Sequence, residues 1–138
     1  MRIRSLLRDA VVFAGAVPLA PLWLLAVLER RCRLGDGFFL LCSEVLSLVP
    51  GKPGVFLRRS FYAMTLDAFA PDCHVGFGTT LAHPQVRIHR GVWIGNSSVI
   101  MADVGAESVI GAGSVVVREI PERSVAAGNP AVVKKVRT

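Results

Sequence analysis

The sequence is short of several residue types. In 138 residues it has three cysteines (Cys32, Cys42 and Cys73), three histidines, two tryptophans and one tyrosine. An odd cysteine count with no CxxC spacing excludes a disulfide framework and a zinc knuckle, and a reducing cytoplasm is the default that follows. Acidic residues are scarce, ten against sixteen Lys and Arg. No module interleaves aromatic with basic residues, so the net charge of +6 does not point to nucleic acid. Charge is absent altogether from Ala10 to Leu28, a run of nineteen residues.

What is present is apolar surface. Half the chain is hydrophobic. Enough can be buried to offset the entropy of ordering, which excludes disorder. The length fits one small domain plus an appendage. The charge is uneven. Residues 1–60 hold nine Lys/Arg against four Asp/Glu, and residues 61–138 hold seven against six. The basicity therefore lies beside the apolar N-terminal stretches, a placement that suits anionic lipid headgroups.

The charge-free run is flanked by Arg2, Arg4 and Arg8 and by Arg30, Arg31 and Arg33. About twenty apolar residues are needed to cross the hydrocarbon core, so the run sits at the lower limit. Pro18 and Pro21 each remove a helical hydrogen bond in its middle. Basic residues at both ends give no positive-inside asymmetry. A broken, re-entrant or surface-lying helical hairpin is expected. A buried helical pair and a cleaved signal peptide are the competing readings. The candidate cleavage site Ala14-Gly15-Ala16 comes early for a signal, and Arg30-Arg31-Cys32 is no lipobox. A second apolar stretch, Phe38 to Val49, carries only Glu44. It ends at the breaker cluster Pro50-Gly51-Lys52-Pro53-Gly54. Val55 to Leu66 then reads as a short amphipathic helix or strand entry with Arg58 and Arg59 exposed.

Beyond residue 68 the pattern changes to a repeat. Large residues recur every six positions: Phe69, Val75, Leu81; Ile88, Ile94, Ile100; Val104, Ile110, Val116. The breaks between triplets are seven and four residues. The next position is often small (Ala70, Gly76, Ala82, Gly95, Gly105, Gly111). The fourth after it is small too (Cys73, Thr79, Ser98, Ser108, Ser114). One large side chain per face and small residues at tight corners describe a triangular coil. Three triplets give three coils, stacked at about 4.8 Å and needing caps at both ends. A sandwich would show period-two alternation instead. The expected fold is thus a parallel β-helix of about three coils preceded by apolar helices. The expected division is 1–60, helical and membrane-associated, and 61–138, coil with a C-terminal cap. Cys73 is expected in the core.

Three stretches carry a resemblance: Val92-Trp93-Ile94-Gly95-Asn96, then Ile110-Gly111-Ala112-Gly113-Ser114-Val115-Val116, then Ile120-Pro121 with Gly128-Asn129-Pro130-Ala131. They resemble the closing coils of hexapeptide-repeat acyltransferases, the relatives of maltose, xenobiotic and serine O-acetyltransferases. Ser47-Leu48-Val49-Pro50-Gly51 and Arg58-Arg59-Ser60-Phe61-Tyr62 resemble acyltransferases of exopolysaccharide or lipopolysaccharide modification. The resemblance implies a left-handed β-helix and a homotrimer with acyl-CoA, most simply acetyl-CoA, between adjacent prisms. It implies transfer to a hydroxyl or amine, with no metal; taken with the basic apolar N-terminus, the expected activity is O-acyl transfer to a surface glycan or its precursor at the cytoplasmic face of the inner membrane. A histidine acts as general base on the acceptor, and backbone N–H groups steady the oxyanion.

The sequence departs from that pattern between Gln85 and Arg90, where coils and a loop of the relatives are missing. Three histidines remain. His83, in Leu81-Ala82-His83-Pro84, is the candidate base, against a bland turn residue; His74 and His89 are weaker candidates. For the cofactor, Gly111, Ala112 and Gly113 offer backbone amides. Arg118, Lys134 and Lys135 match basic positions that meet CoA phosphates in relatives, against a solvated tail. Gly128-Asn129-Pro130 is expected to turn the chain and cap the last coil. Two other functions stay open: a non-catalytic trimeric coil protein, and a γ-class carbonic anhydrase, whose histidine spacing this chain does not resemble.

Overall fold

Large side chains six residues apart share one interior only if the chain turns a corner between them. A computed structural model shows that it does. Residues 2–32 and 35–138 are described, with side chains at Ala10, Ala14 and from Val17 onward except Arg30. The side chains of Arg2, Arg4, Arg8, Arg30 and Arg33, and most of the Ala14-Gly15-Ala16 motif, lie outside what is described.

Eight two-residue strands form the coils: β1 (Ala68–Phe69), β2 (His74–Val75), β3 (Thr80–Leu81), β4 (Arg87–Ile88), β5 (Trp93–Ile94), β6 (Val99–Ile100), β7 (Val109–Ile110) and β8 (Val115–Val116). They pair in parallel on three faces. Face one stacks Phe69 on Ile88, and continues through bridges to Val104 and Ile120. Face two stacks Val75, Ile94, Ile110 and Ala126. Face three stacks Leu81, Ile100 and Val116. Except for half-buried Phe69, the triplet residues read from the sequence are almost wholly buried in these columns. The fold is a parallel β-helix of about three coils preceded by helices, as expected.

The stack runs on past Val116. The four-residue step from Ile100 to Val104 recurs from Val116 to Ile120, so Ile120 and Ala126 begin a partial fourth coil. There β9 (Ser124–Gly128) turns through Asn129-Pro130 into antiparallel β10 (Ala131–Val136). The seven-residue break is a tight turn in which Val86 is fully buried and Pro84 O accepts from Asp67 N at 3.0 Å. Coils one and two pair in register across it.

The small positions do more than fit. Ser98 Oγ donates to Gly111 O at 3.2 Å, Thr79 Oγ1 to Gly95 O at 2.7 Å and Ser108 Oγ to Pro121 O at 2.7 Å. Each buried hydroxyl thus satisfies a carbonyl of the next coil, which prevents the penalty of an unpaired buried polar group. Cys73 is buried and its thiol donates to His89 O at 2.9 Å. The third residue after Val75, Ile94 and Ile110 on face two, and after Ile88, Val104 and Ile120 on face one, takes a left-handed conformation: Gly78, Ser97 and Gly113 at one corner, Gly91, Glu107 and Arg123 at the other.

Three helices precede the coils: α1 (Arg2–Arg31), α2 (Gly37–Ser47) and α3 (Gly51–Thr65). Three expectations need correction. First, α1 is continuous through Pro18 and Pro21. A helical proline costs about 3 kcal/mol, and here packing offsets it. Leu19 and Ala26 are buried, and Trp23 Nε1 donates to Met64 O on α3 at 3.0 Å. Second, the chain does break before this cluster, but the next helix starts at Gly51 and not near Val55, so that the cluster after Pro50 belongs to α3. It is the first turn of α3, where proline is tolerated because early N–H groups have no helical partner. Third, Arg58 is buried and Arg59 half-buried, not exposed.

The last correction explains how the helices and coil share one core. The first coil leaves an open edge of backbone groups. Gly78 N donates to Ser47 O at 2.8 Å, and Leu81 N to Ser43 Oγ at 3.1 Å. Arg58 Nε donates to Val75 O at 3.1 Å, and Arg59 Nε to Cys73 O at 2.5 Å. Ser43 Oγ lies 2.6 Å from Tyr62 Oη, beneath the prism. The rings of Phe39, Phe61, Tyr62 and Phe69 form the floor, with neighbouring centroids 5.6–6.3 Å apart. A coil that buries its faces only by stacking needs such a cap. Glu29 at the end of α1 accepts from Phe38 N at 2.9 and 3.0 Å, capping the start of α2.

Candidate functional site

His83 lies two residues after Leu81, at the corner between faces three and one. Ala102 follows Ile100 and Arg118 follows Val116 by the same step, so His83 and Arg118 share one edge of the prism, two coils apart. At the parallel-strand spacing that is about 10 Å. Arg118 is exposed. The His83 ring is half-buried. Its Nε2 is 3.1 Å from Met101 O, and its Nδ1 is buried without a hydrogen-bond partner. A carbonyl only accepts, so Nε2 carries the proton and the basic lone pair sits on the enclosed Nδ1. In this orientation neither ring nitrogen is free: Nε2–H is held by Met101 O and Nδ1 is enclosed.

Gly111, Ala112 and Gly113 occupy the other corner, between faces two and three. Gly111 N donates to Ala126 O at 2.9 Å and Gly113 N to Asn96 O at 2.8 Å, so two of the three amides hold the coils together. Gly113 is open: a Cβ there meets nothing within 4 Å. Lys134 and Lys135 are exposed on β10 beyond face two. One chain therefore places the candidate base with Arg118 on one edge, and the glycine corner and the two lysines elsewhere.

His89 is exposed just past face one. His74 is half-buried on the outside of face two and stacks on Trp93, centroids 3.9 Å apart and planes 12° apart. Burial, with Arg59 and Arg58 nearby, holds its pKa below the usual 6.5. The sequence reading missed this pair, although the signal was present. His74 and Trp93 each immediately precede a large residue of the same column, so they meet on one outer face. Also unanticipated is a charged corner where Glu107 lies 3.4 Å from Arg123 and 3.8 Å from Arg90, while Arg137 Nη1 donates to Glu107 O at 3.2 Å. Among the described residues no group of three or more His, Cys, Asp or Glu is placed to hold a metal ion.

No protein-family model matches the chain. Individual relatives do. A Saccharomyces cerevisiae protein that carries an acetyltransferase name is 52% identical over 111 residues, 75% of this chain and 55% of that one. The galactoside O-acetyltransferase of Lactococcus lactis is 43% identical over 53 residues, 37% of this chain and 26% of that one. Among solved structures, a hexapeptide-repeat acetyltransferase of Vibrio cholerae, complexed with acetyl coenzyme A, aligns over 49% of this chain and 47% of that one. Its identity is 26% and its TM-score 0.45. The chain spans about half the length, or less, of the curated relatives it matches. Its coils are thus similar in sequence to acetyltransferases over the stretches these relatives share.

Proposed function

We propose that the chain is an acyl-CoA-dependent O-acyltransferase, most simply an acetyltransferase, acting on a hydroxyl of a surface glycan or its precursor. The observation that carries this reading is the similarity of its coils to acetyltransferases of sugars, one of them a galactoside O-acetyltransferase. In this reading three copies pack prism against prism, so that edges separate in one chain meet between chains. The thioester carbonyl of acetyl-CoA lies in that groove. His83 takes the acceptor's hydroxyl proton, the oxygen attacks the carbonyl, and the CoA thiol leaves with a proton. For this His83 must leave Met101 O and present a free ring nitrogen. Arg118, Lys134 and Lys135 are exposed and cationic, which suits the CoA phosphates. The open side of Gly113 suits the pantetheine chain. The helical layer holds the protein at the cytoplasmic face of the inner membrane.

The test is thiol release from acetyl-CoA in the presence of candidate sugars. Turnover supports the reading; the absence of both turnover and CoA binding would sink it. A second reading is favoured by the bond from His83 Nε2 to Met101 O. It is a non-catalytic trimeric coil protein that lacks the catalytic loop of its relatives, and measurable transfer would remove it.

A further inference from the structure

We propose that the outer face of α1 and α2 lies flat on an anionic lipid bilayer, with Leu24 and Leu28 of α1, Leu41 and Val45 of α2 and Leu48 at the C-cap of α2 in the headgroup–acyl boundary. This deepens the membrane placement above and is independent of acyl transfer. Apolar side chains are 61% exposed at Leu24, 55% at Leu28 and Leu41, 57% at Val45 and 67% at Leu48. Soluble monomers rarely leave a contiguous apolar surface of this extent open. The spacing is that of helix faces: 24 and 28 on one helix, and 41 and 45 on the other, continued by the C-cap residue 48. The two faces adjoin at an open apolar groove between Leu22 of α1 and Phe38, Leu41, Cys42 and Val45 of α2, and Leu25, 49% exposed, lies between Leu22 and Leu28 around α1.

Charge selects the occupant. Residues 1–60 carry the chain's basic excess, and Arg31 and Lys52, at the ends of the helices, are exposed. Of the three carboxylates on or beside α2, Glu29 is turned inward onto Phe38 N and Asp36, at the N-cap, is half-buried. Glu44 alone stands exposed among the aliphatics of α2. An apolar strip edged by cations matches the boundary of an anionic bilayer. The helices lie on the bilayer instead of crossing it, because among the described residues none is long and apolar enough to span.

The experiment is sedimentation of the full chain with phosphatidylcholine vesicles, with and without phosphatidylglycerol. Binding should require the anionic lipid and weaken as salt rises. Lys52→Gln should lower the partition coefficient about fivefold, and the triple change Leu41→Ser, Val45→Ser, Leu48→Ser should lower it more than tenfold. Glu44→Gln should raise it. Circular dichroism must show each variant folded; these positions are exposed, and the single changes remain if the triple variant unfolds. Vesicle binding unaffected by all of these changes would place the membrane contact elsewhere and overturn this face. No vesicle binding, with the triple variant reducing the oligomer's mass by light scattering, would assign the face to a second copy and overturn the membrane placement as well. Neither result bears on thiol release from acetyl-CoA.

Discussion

Arg58 on α3 donates through Nε to Val75 O on the first coil at 3.1 Å. Its Nη1 donates to Leu46 O and Val49 O, each at 2.9 Å. One guanidinium thus ties the C-terminal carbonyls of α2, where the helix dipole favours a cation, to the open edge of the β-helix. Burial lowers its pKa below the ordinary guanidinium value, yet guanidinium stays charged at neutral pH. Arg58→Met should remove about 3 kcal/mol or more of stability, because several buried carbonyls lose their donor together. Arg58→Lys should recover little, since one ammonium cannot reach both sides. Urea denaturation reads both; an unchanged midpoint for the methionine variant refutes the clamp.

The thiols should separate cleanly. Cys32 is exposed, while Cys42 and Cys73 are buried. Burial raises both buried thiols, Cys73 to about 11. In folded protein, a thiol reagent should modify one cysteine quickly and the other two only after denaturant is added. The same shifts predict alkaline weakening. Burial also pushes Tyr62 up to about 12. The unfolded chain releases these protons from about pH 9 upward, the folded chain later, so stability falls as pH rises through that range. Two fast-reacting thiols in the native state would contradict the burial.

His74 gives an acid counterpart. Its folded pKa lies below the usual 6.5. Below that value the unfolded chain binds a proton that the folded chain resists. Stability is therefore full above 6.5 and declines as pH falls through the folded pKa. His74→Gln should flatten the melting temperature over this range and expose Trp93, with a red shift of its emission. An unaltered acid slope would mean that other groups set it.

Corner conformation is directly testable. Ser97 is a non-glycine residue in the left-handed region, φ 57°, in the position that Gly78 and Gly113 fill in neighbouring coils. Ser97→Gly should stabilise by about 0.5–1 kcal/mol, or about 2 °C in melting temperature. Gly78→Ala should cost about 1 kcal/mol. Opposite signs at these equivalent corners are the expected result; a loss at both would indicate that Ser97 contributes a contact not seen here.

For the proposed reaction, His83→Ala should lower acyl transfer by about 10²–10⁴-fold and leave CoA binding and the melting temperature nearly unchanged. Isothermal titration with CoA beside the thiol-release assay separates the two. Equal activity in the variant would remove His83 from the mechanism.

The coil was legible in the sequence because its cause is local and periodic. A large residue every six positions, with small ones beside it, can be satisfied only by corners at fixed spacing, and Phe69 to Val116 falls on the three columns so read. Ile120 and Ala126 belonged to the same arithmetic once the four-residue step is seen to repeat. The helices were legible as apolar segments, but their limits were not. Pro18, Pro21 and Pro53 signal breaks by local propensity, and packing against α3 or a place in a first helical turn overrides that signal. The role of Arg58 and Arg59 was hidden because adjacent arginines read as surface charge. Only the tertiary structure supplies what they satisfy, the unpaired carbonyls of a first coil that begins eight or more residues later in the chain. The same holds for His83. The sequence put a histidine at a corner; the fold decided that its Nε2 faces the Met101 carbonyl of the next coil, because stacking sets which backbone group lies above it.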